Sequence, residues 1–173
     1  MMTEETNNES STKKKMRTRF FRKSRFSKLR SFSTERILPG GKLEEGQIAE
    51  LKKKWSEEDL KTFGELTGDF NPIHFDSQYA SNTVFKRRIV HGMLTSSLFG
   101  SLIAQSIPGS IYLSQTLKFK APVFLNDQVC ASIQVFKIRK EKCIVSFSTK
   151  ATNQDGTVVI EGEAFAKIPI ENL

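Results

Sequence analysis

Across 173 residues the chain has two cysteines, two histidines and one tryptophan, and each shortage removes a class of function. Cys130 and Cys143 are thirteen apart in apolar sequence, with no CxxC and no histidine nearby. They read as reduced core thiols, which excludes a disulfide framework. His74 and His91 are too few for a Cys/His zinc cluster, so no metal and no other cofactor is expected. The sequence also lacks an apolar run of the roughly 18 residues that a membrane span requires. There is no internal repeat, and the length fits one domain with a real core.

Acid is missing from one place in particular. The formal charge is +8, which taken alone suggests a nucleic-acid partner. Residues 1–34 hold ten of the 27 Lys/Arg but only Glu4, Glu5 and Glu9 of the 19 acids, leaving 17 against 16 for the rest. A nearly neutral body argues against nucleic-acid binding. From Met16, "MRTRFFRKSRFSKLRSFST" interleaves seven Arg/Lys with Phe and Ser and contains no acid. That composition is the one a mitochondrial transit segment uses, drawn inward by the membrane potential. The expected organisation is therefore a leader over 1–34, cleaved near Ser33, and a single domain over 35–173 in the mitochondrial matrix. The acidic "MTEETNNES" ahead of it raises an alternative start at Met16 or a cytosolic long form. The C-terminal Glu171-Asn172-Leu173 is unlike a peroxisomal SKL tripeptide.

What remains is patterned. Gly46–Trp55 alternates like a strand, and "SEEDLKTFGEL" then opens with Ser56 as N-cap and Asp59 at N3, with Leu60, Phe63 and Leu66 on one face. That helix should stop at Gly68. Val90–Ile107 is the most apolar segment. Met93, Leu94, Leu98, Leu102 and Ile103 form a stripe among small residues, predicting a helix buried nearly all round. After Pro108-Gly109 the period becomes two. One strand is predicted over "SIYLSQTLKFKAPVF" and three more over "QVCASIQVFKI", "KCIVSFSTKA" and "TVVIEGEAFAKI", with turns at Asn126-Asp127, Glu141 and Asn153–Gly156. An antiparallel sheet after a long apolar helix implies an α+β layer curling around that helix, with open edge strands that favour a homodimer.

The chemistry-bearing residues cluster in "TGDFNPIHFD". Asp69 and His74 are five apart, which on an ideal helix or strand keeps their side chains away from each other. Asn71-Pro72 supplies a chain reversal that lets them meet. Capping residues beside a core histidine would explain the same string. Weight shifts because His91 opens the apolar helix in "IVHGML". A helix N-terminus there offers free N–H groups to a developing oxyanion, and Gly92 permits close approach of a carbonyl. An acid/base pair beside such a site suits proton removal next to a carbonyl.

"GDFNPIHFD", "IVHGML" and "GSIYLSQTLKFKAPVFLNDQV", in that order, resemble the MaoC-like or hydratase-2 family of (R)-specific enoyl-CoA hydratases and (3R)-hydroxyacyl-thioester dehydratases, over about 43–169. The resemblance implies a hot-dog fold, a homodimer, and reversible syn hydration of trans-2-enoyl thioesters in mitochondrial fatty acid synthesis or another acyl-CoA pathway. It makes Asp69 and His74 the catalytic pair, Asn71 their orienting neighbour or the holder of a catalytic water, and the Gly92 N–H the oxyanion donor. Gly100 departs from a small hydroxylated residue that relatives often carry, for which Ser97 or Ser101 are the nearby substitutes. Lys86, Arg87 and Arg88, and less so Lys118 and Lys120, are candidates to meet the phosphates of CoA or an acidic acyl carrier protein. A hot-dog thioesterase and a non-enzymatic RNA- or carrier-binding module are the competing readings.

Overall fold

The computed structural model describes residues 42–173 and, as backbone alone, the strand Ser33–Arg36. The rest of the basic leader lies outside the described residues. In chain order the elements are β1 (Ser33–Arg36), β2 (Ile48–Lys54), α1 (Glu57–Thr67), α2 (Pro72–Phe75), α3 (Ser77–Ser81), α4 (Gly92–Ser106), β3 (Ile111–Gln115), β4 (Lys118–Phe119), β5 (Gln128–Arg139), β6 (Ile144–Thr152) and β7 (Val158–Lys167). The strands form one antiparallel sheet in the order β1-β2-β5-β6-β7-β3, with the short β4 also paired to β7.

Alternation fixes which face is inward. Val129, Ala131, Ile133 and Val135 on β5 are buried with Val145, Phe147 and Ala151 on β6 and Ala164 and Ala166 on β7. Register pairs Val135 with Phe147 and Phe147 with Ala164. Against this face α4 lays Leu98, Phe99, Leu102 and Ile103, all fully buried. Each such side chain contributes roughly 1.5–3 kcal/mol. Here the structure corrects the sequence reading. Met93 is 58% exposed, and Ser97, Ala104 and Gln105 are exposed too. The sheet covers one side of α4 and leaves the other open.

Helix α1 begins as expected, with Ser56 and Asp59 forming a capping box. Burial pushes the Asp59 carboxyl up, but bonds from Ser56 and the nearby Lys53 outweigh it and hold it below its ordinary value. Leu66 is 80% exposed, contrary to the expected face. Six residues advance a helix about 600°, so Leu66 points roughly 120° away from Leu60. Gly68 ends the helix at φ 77°, its N–H bonded to the Gly64 carbonyl at 2.8 Å.

The predicted single strand over 110–124 is two pieces. The Thr116 carbonyl crosses β7 at Gly162, where an added Cβ would lie 1.9 Å from that oxygen. Only glycine admits such a crossing. On these two pieces Ile111, Leu113 and Phe119 are exposed.

Candidate active site

The site is built where α1 hands the chain to α2. After Gly68, the Asp69 carboxylate accepts the Asn71 N–H at 3.3 Å, and the Asn71 side-chain oxygen accepts the Ile73 N–H at 3.2 Å. Asn71 is thus the N-cap of α2, with Pro72 in its first turn. The expected reversal is therefore a turn plus one turn of helix, and that helix carries His74 inward to 8% exposure. Asp69 stays accessible on the cavity wall.

Two backbone carbonyls set the state of the histidines. His74 Nδ1 lies 2.9 Å from the Ile89 carbonyl, and His91 Nε2 lies 3.1 Å from the Asp69 carbonyl. A carbonyl only accepts, so each of those nitrogens donates. The neutral His74 ring therefore keeps its Nε2 lone pair free. The Ile89 N–H returns a bond to the Ile73 carbonyl at 3.3 Å, so α2 is latched to this segment twice. The rings of His74 and His91 stack at 3.8 Å with a 30° tilt. Burial, together with His74 beside it, holds His91 below its ordinary pKa despite its bond to Asp69, which favours the charged form.

A carboxylate oxygen of Asp69 and a ring nitrogen of each histidine fall within 4.8 Å of one another. The donor types suit a divalent transition metal as well as proton transfer, a combination invisible in the sequence spacing.

This cluster opens on a cavity of about 520 Å³ whose lining includes Asp69, His91, Gly92, Thr95, Phe119 and Val123. Gly92 opens α4, and His91, its N-cap, makes no side-chain capping bond. First-turn N–H groups have no partner within the helix, so they remain available to a ligand at the cavity wall. The Phe119 ring lies against Gly92, where a Cβ would come within 2.6 Å of it. His91 Nδ1 and the hydroxyl of Thr95, both buried, have no hydrogen-bond partner among the described residues. Sequence reasoning missed Phe119 and Thr95. It placed His91 only as a marker of the helix start.

The other expected residues divide. Arg88 is taken, bonded to Glu57 through both terminal nitrogens and to the Phe75 carbonyl at 3.2 Å. Arg87 lies flat over Phe124 at 3.6 Å, and Lys86 has the left-handed φ of 61°. Together they line a second, smaller hollow with Ser77 and Leu125. Lys118 is exposed, and Lys120 meets Glu161 at 3.5 Å. Ser97 and Ser101 bond the helix carbonyls of Leu94 and Ser97. At Gly100, the nearest atom to an added Cβ is on Tyr112, at 3.9 Å.

An antiparallel sheet laid on a long helix, with Asp69, His74 and His91 clustered at that helix's N-terminus, is the arrangement of a hot-dog hydro-lyase. The model of the MaoC-like domain matches residues 40–156. The (R)-specific enoyl-CoA hydratase of Aeromonas caviae is 45% identical over 129 residues, 73% of this chain and 96% of that protein. The mitochondrial 3-hydroxyacyl-[acyl-carrier-protein] dehydratase of Arabidopsis thaliana is 41% identical over 144 residues, 82% of this chain and 86% of that one. Among solved structures, the A. caviae (R)-hydratase superposes with a TM-score of 0.71 over 73% of this chain and 98% of its own, at 45% identity. The chain belongs to the MaoC-like dehydratase family.

Proposed function

We propose that this protein adds water reversibly to trans-2-enoyl thioesters, giving (3R)-3-hydroxyacyl thioesters, with Asp69 and His74 as the acid/base pair. The observation that carries the reading is the placement of Asp69 on the cavity wall beside the uncapped N-terminus of α4, with His74 clustered behind it and His91. The Gly92 N–H donates to the thioester oxygen as negative charge develops on it, which lowers the barrier to the enolate. Water supplies its oxygen to Cβ and a proton returns to Cα. Asp69 and His74 are clustered within 4.8 Å, so both act from one side of the substrate and the two additions are syn. The free Nε2 of His74 and the carboxylate of Asp69 are the two groups that exchange those protons, and Asn71 holds the turn between them. The relatives named (R)-specific hydratases support the (3R) outcome.

Lys86 and Arg87, and less so the exposed Lys118, are candidates to meet a phosphate of CoA or of a carrier protein's pantetheine arm. The exposed apolar edge strand β3, with Ile111, Tyr112 and Leu113, is where a second copy docks. The leader composition and the two plant relatives named mitochondrial support a matrix location. Among the described residues no helix is long and apolar enough to cross a membrane.

Purified protein with crotonyl-CoA tests the central claim: enoyl absorbance falls and the product is (3R). An (S) product, or release of free CoA thiol in place of hydration, sinks it. Asp69→Asn and His74→Ala should each lower kcat by about 10²- to 10⁴-fold, with the urea midpoint of Asp69→Asn close to the parent.

A further inference from the structure

We infer that His91 is a positioning residue, which fixes the Asp69 carboxylate relative to His74 by donating its Nε2–H to the Asp69 carbonyl while its ring stacks on His74. The inference rests on the hydratase reading of the site.

The Asp69 carbonyl accepts no other hydrogen bond among the described residues, and His91 reaches it from 22 residues away at 3.1 Å. On its other side the same oxygen lies against Gly64, where a Cβ would come within 3.3 Å. The catalytic turn is therefore pinned between α1 and the start of α4, and the pin is an imidazole. That ring cannot swing. Phe63 packs on it at 5.0 Å and 57°, Phe75 at 5.5 Å and 63°, and His74 at 3.8 Å. Flipping it about χ2 would put a carbon where Nε2 now donates and leave a carbonyl unpaired. At 1% exposure His91 is held within the packing at the cavity wall.

The stack has a second consequence. When His74 takes a proton at Nε2 it becomes a cation lying over the face of a neutral ring, an arrangement that favours the charge. A charged neighbour at that spacing would instead oppose it. Position 91 thus needs three properties together: a donor at the Nε2 position, an aromatic face and no charge. Phenylalanine keeps the face, glutamine keeps a donor, and only neutral histidine has all three.

The test uses the full chain. His91→Phe should leave KM for crotonyl-CoA within about threefold and lower kcat about 10²-fold, the scale that a misplacement near 1 Å produces. His91→Gln should recover roughly tenfold of that loss. A role in core packing alone predicts the reverse order, and wild-type kcat in His91→Phe would overturn the proposal. Histidine ¹⁵N shifts of the unmutated protein give a readout that does not depend on how the variants fold. The proposal expects a proton on Nε2 of His91 and on Nδ1 of His74, and an Nδ1–H form at His91 would refute it. If the unmutated protein lacks hydratase activity the functional reading fails first, while the shifts still report on the pin.

Discussion

Gly92→Ala separates the role of the α4 N-terminus from its contribution to stability. The added Cβ would sit 2.6 Å from Cε1 and 2.9 Å from Cδ1 of Phe119, against an ordinary contact beginning at 3.4 Å. The ring must therefore retreat by at least about 0.8 Å. It can do so at little cost, because Phe119 is on a two-residue strand and is 54% exposed. At the first position of a helix, Ala is no worse a former than Gly and gains up to about 1 kcal/mol in a helix interior. The urea midpoint should thus hold or rise slightly. Catalysis should not. The methyl and the displaced ring both stand over the N–H groups that the proposed reaction uses to bind the thioester oxygen. A lost oxyanion contact costs about 10²- to 10³-fold in rate, or roughly 2.7–4 kcal/mol. We expect kcat/KM for crotonyl-CoA to fall about 10²-fold, and Gly92→Ala/Phe119→Ala to recover about tenfold. Activity within threefold of the parent would remove this helix end from the reaction, and a double variant no better than the single one would refute the steric route.

Gly162→Ala should lower stability by about 3 kcal/mol or more, combining overpacking with the loss of two bonds, Thr116 N–H to the Glu163 carbonyl and Glu163 N–H to the Thr116 hydroxyl; urea unfolding measures it. Arg87→Ala should raise KM for crotonyl-CoA about fivefold, roughly 1 kcal/mol of binding, without changing KM for the pantetheine thioester, which lacks the nucleotide phosphates. Arg88→Ala should do the opposite, leaving KM within twofold and lowering stability by about 1 kcal/mol, since its partners are Glu57 and the Phe75 carbonyl. Burial keeps the folded pKa of His91 below 6.5. In the window between the two values the unfolded chain binds more protons, so unfolding free energy should fall as pH drops below about 6.5, and His91→Phe should flatten that part of the curve.

Local signals were legible wherever neighbours in sequence are also neighbours in space. The Ser56/Asp59 capping box and the stop at Gly68 need one helical turn each, and both are present. The strands of β5, β6 and β7 follow from alternation within each segment. Alternation could not see that Thr116 crosses β7, because that depends on Gly162, 46 positions away. It therefore read one strand over 110–124 where there are two, β3 and β4. The same limit applies to Met93, whose exposure is set by where the sheet stops covering α4. In the site, Asp69, His74 and Gly92 were legible because a turn and a helix start have short signatures. The bond from His91 to the Asp69 carbonyl and the capture of Arg88 by Glu57 span 22 and 31 residues, and no periodicity encodes them.

Those long-range bonds explain why a site on loops holds a fixed geometry. His74 and His91 each spend one nitrogen on a backbone carbonyl, at Ile89 and Asp69. The Ile89 segment is in turn held by a bridge to Phe124 and by the Val90 N–H bond to the Val123 carbonyl at 2.7 Å. Asp69 is held from α4, and His74 from the chain entering α4. Asp69 and His74 are thus referenced to the same short stretch, residues 89–91, whose next residue, Gly92, opens α4. A shift of that stretch carries all three groups together, so their mutual distances survive motions that would separate groups mounted on independent loops. The turn at Asn71-Pro72 brings Asp69 and His74 within reach, and the anchoring at 89–91 sets how far apart they stay. Pro72→Ala, which leaves every one of those anchors in place, should therefore cost less activity than His91→Phe.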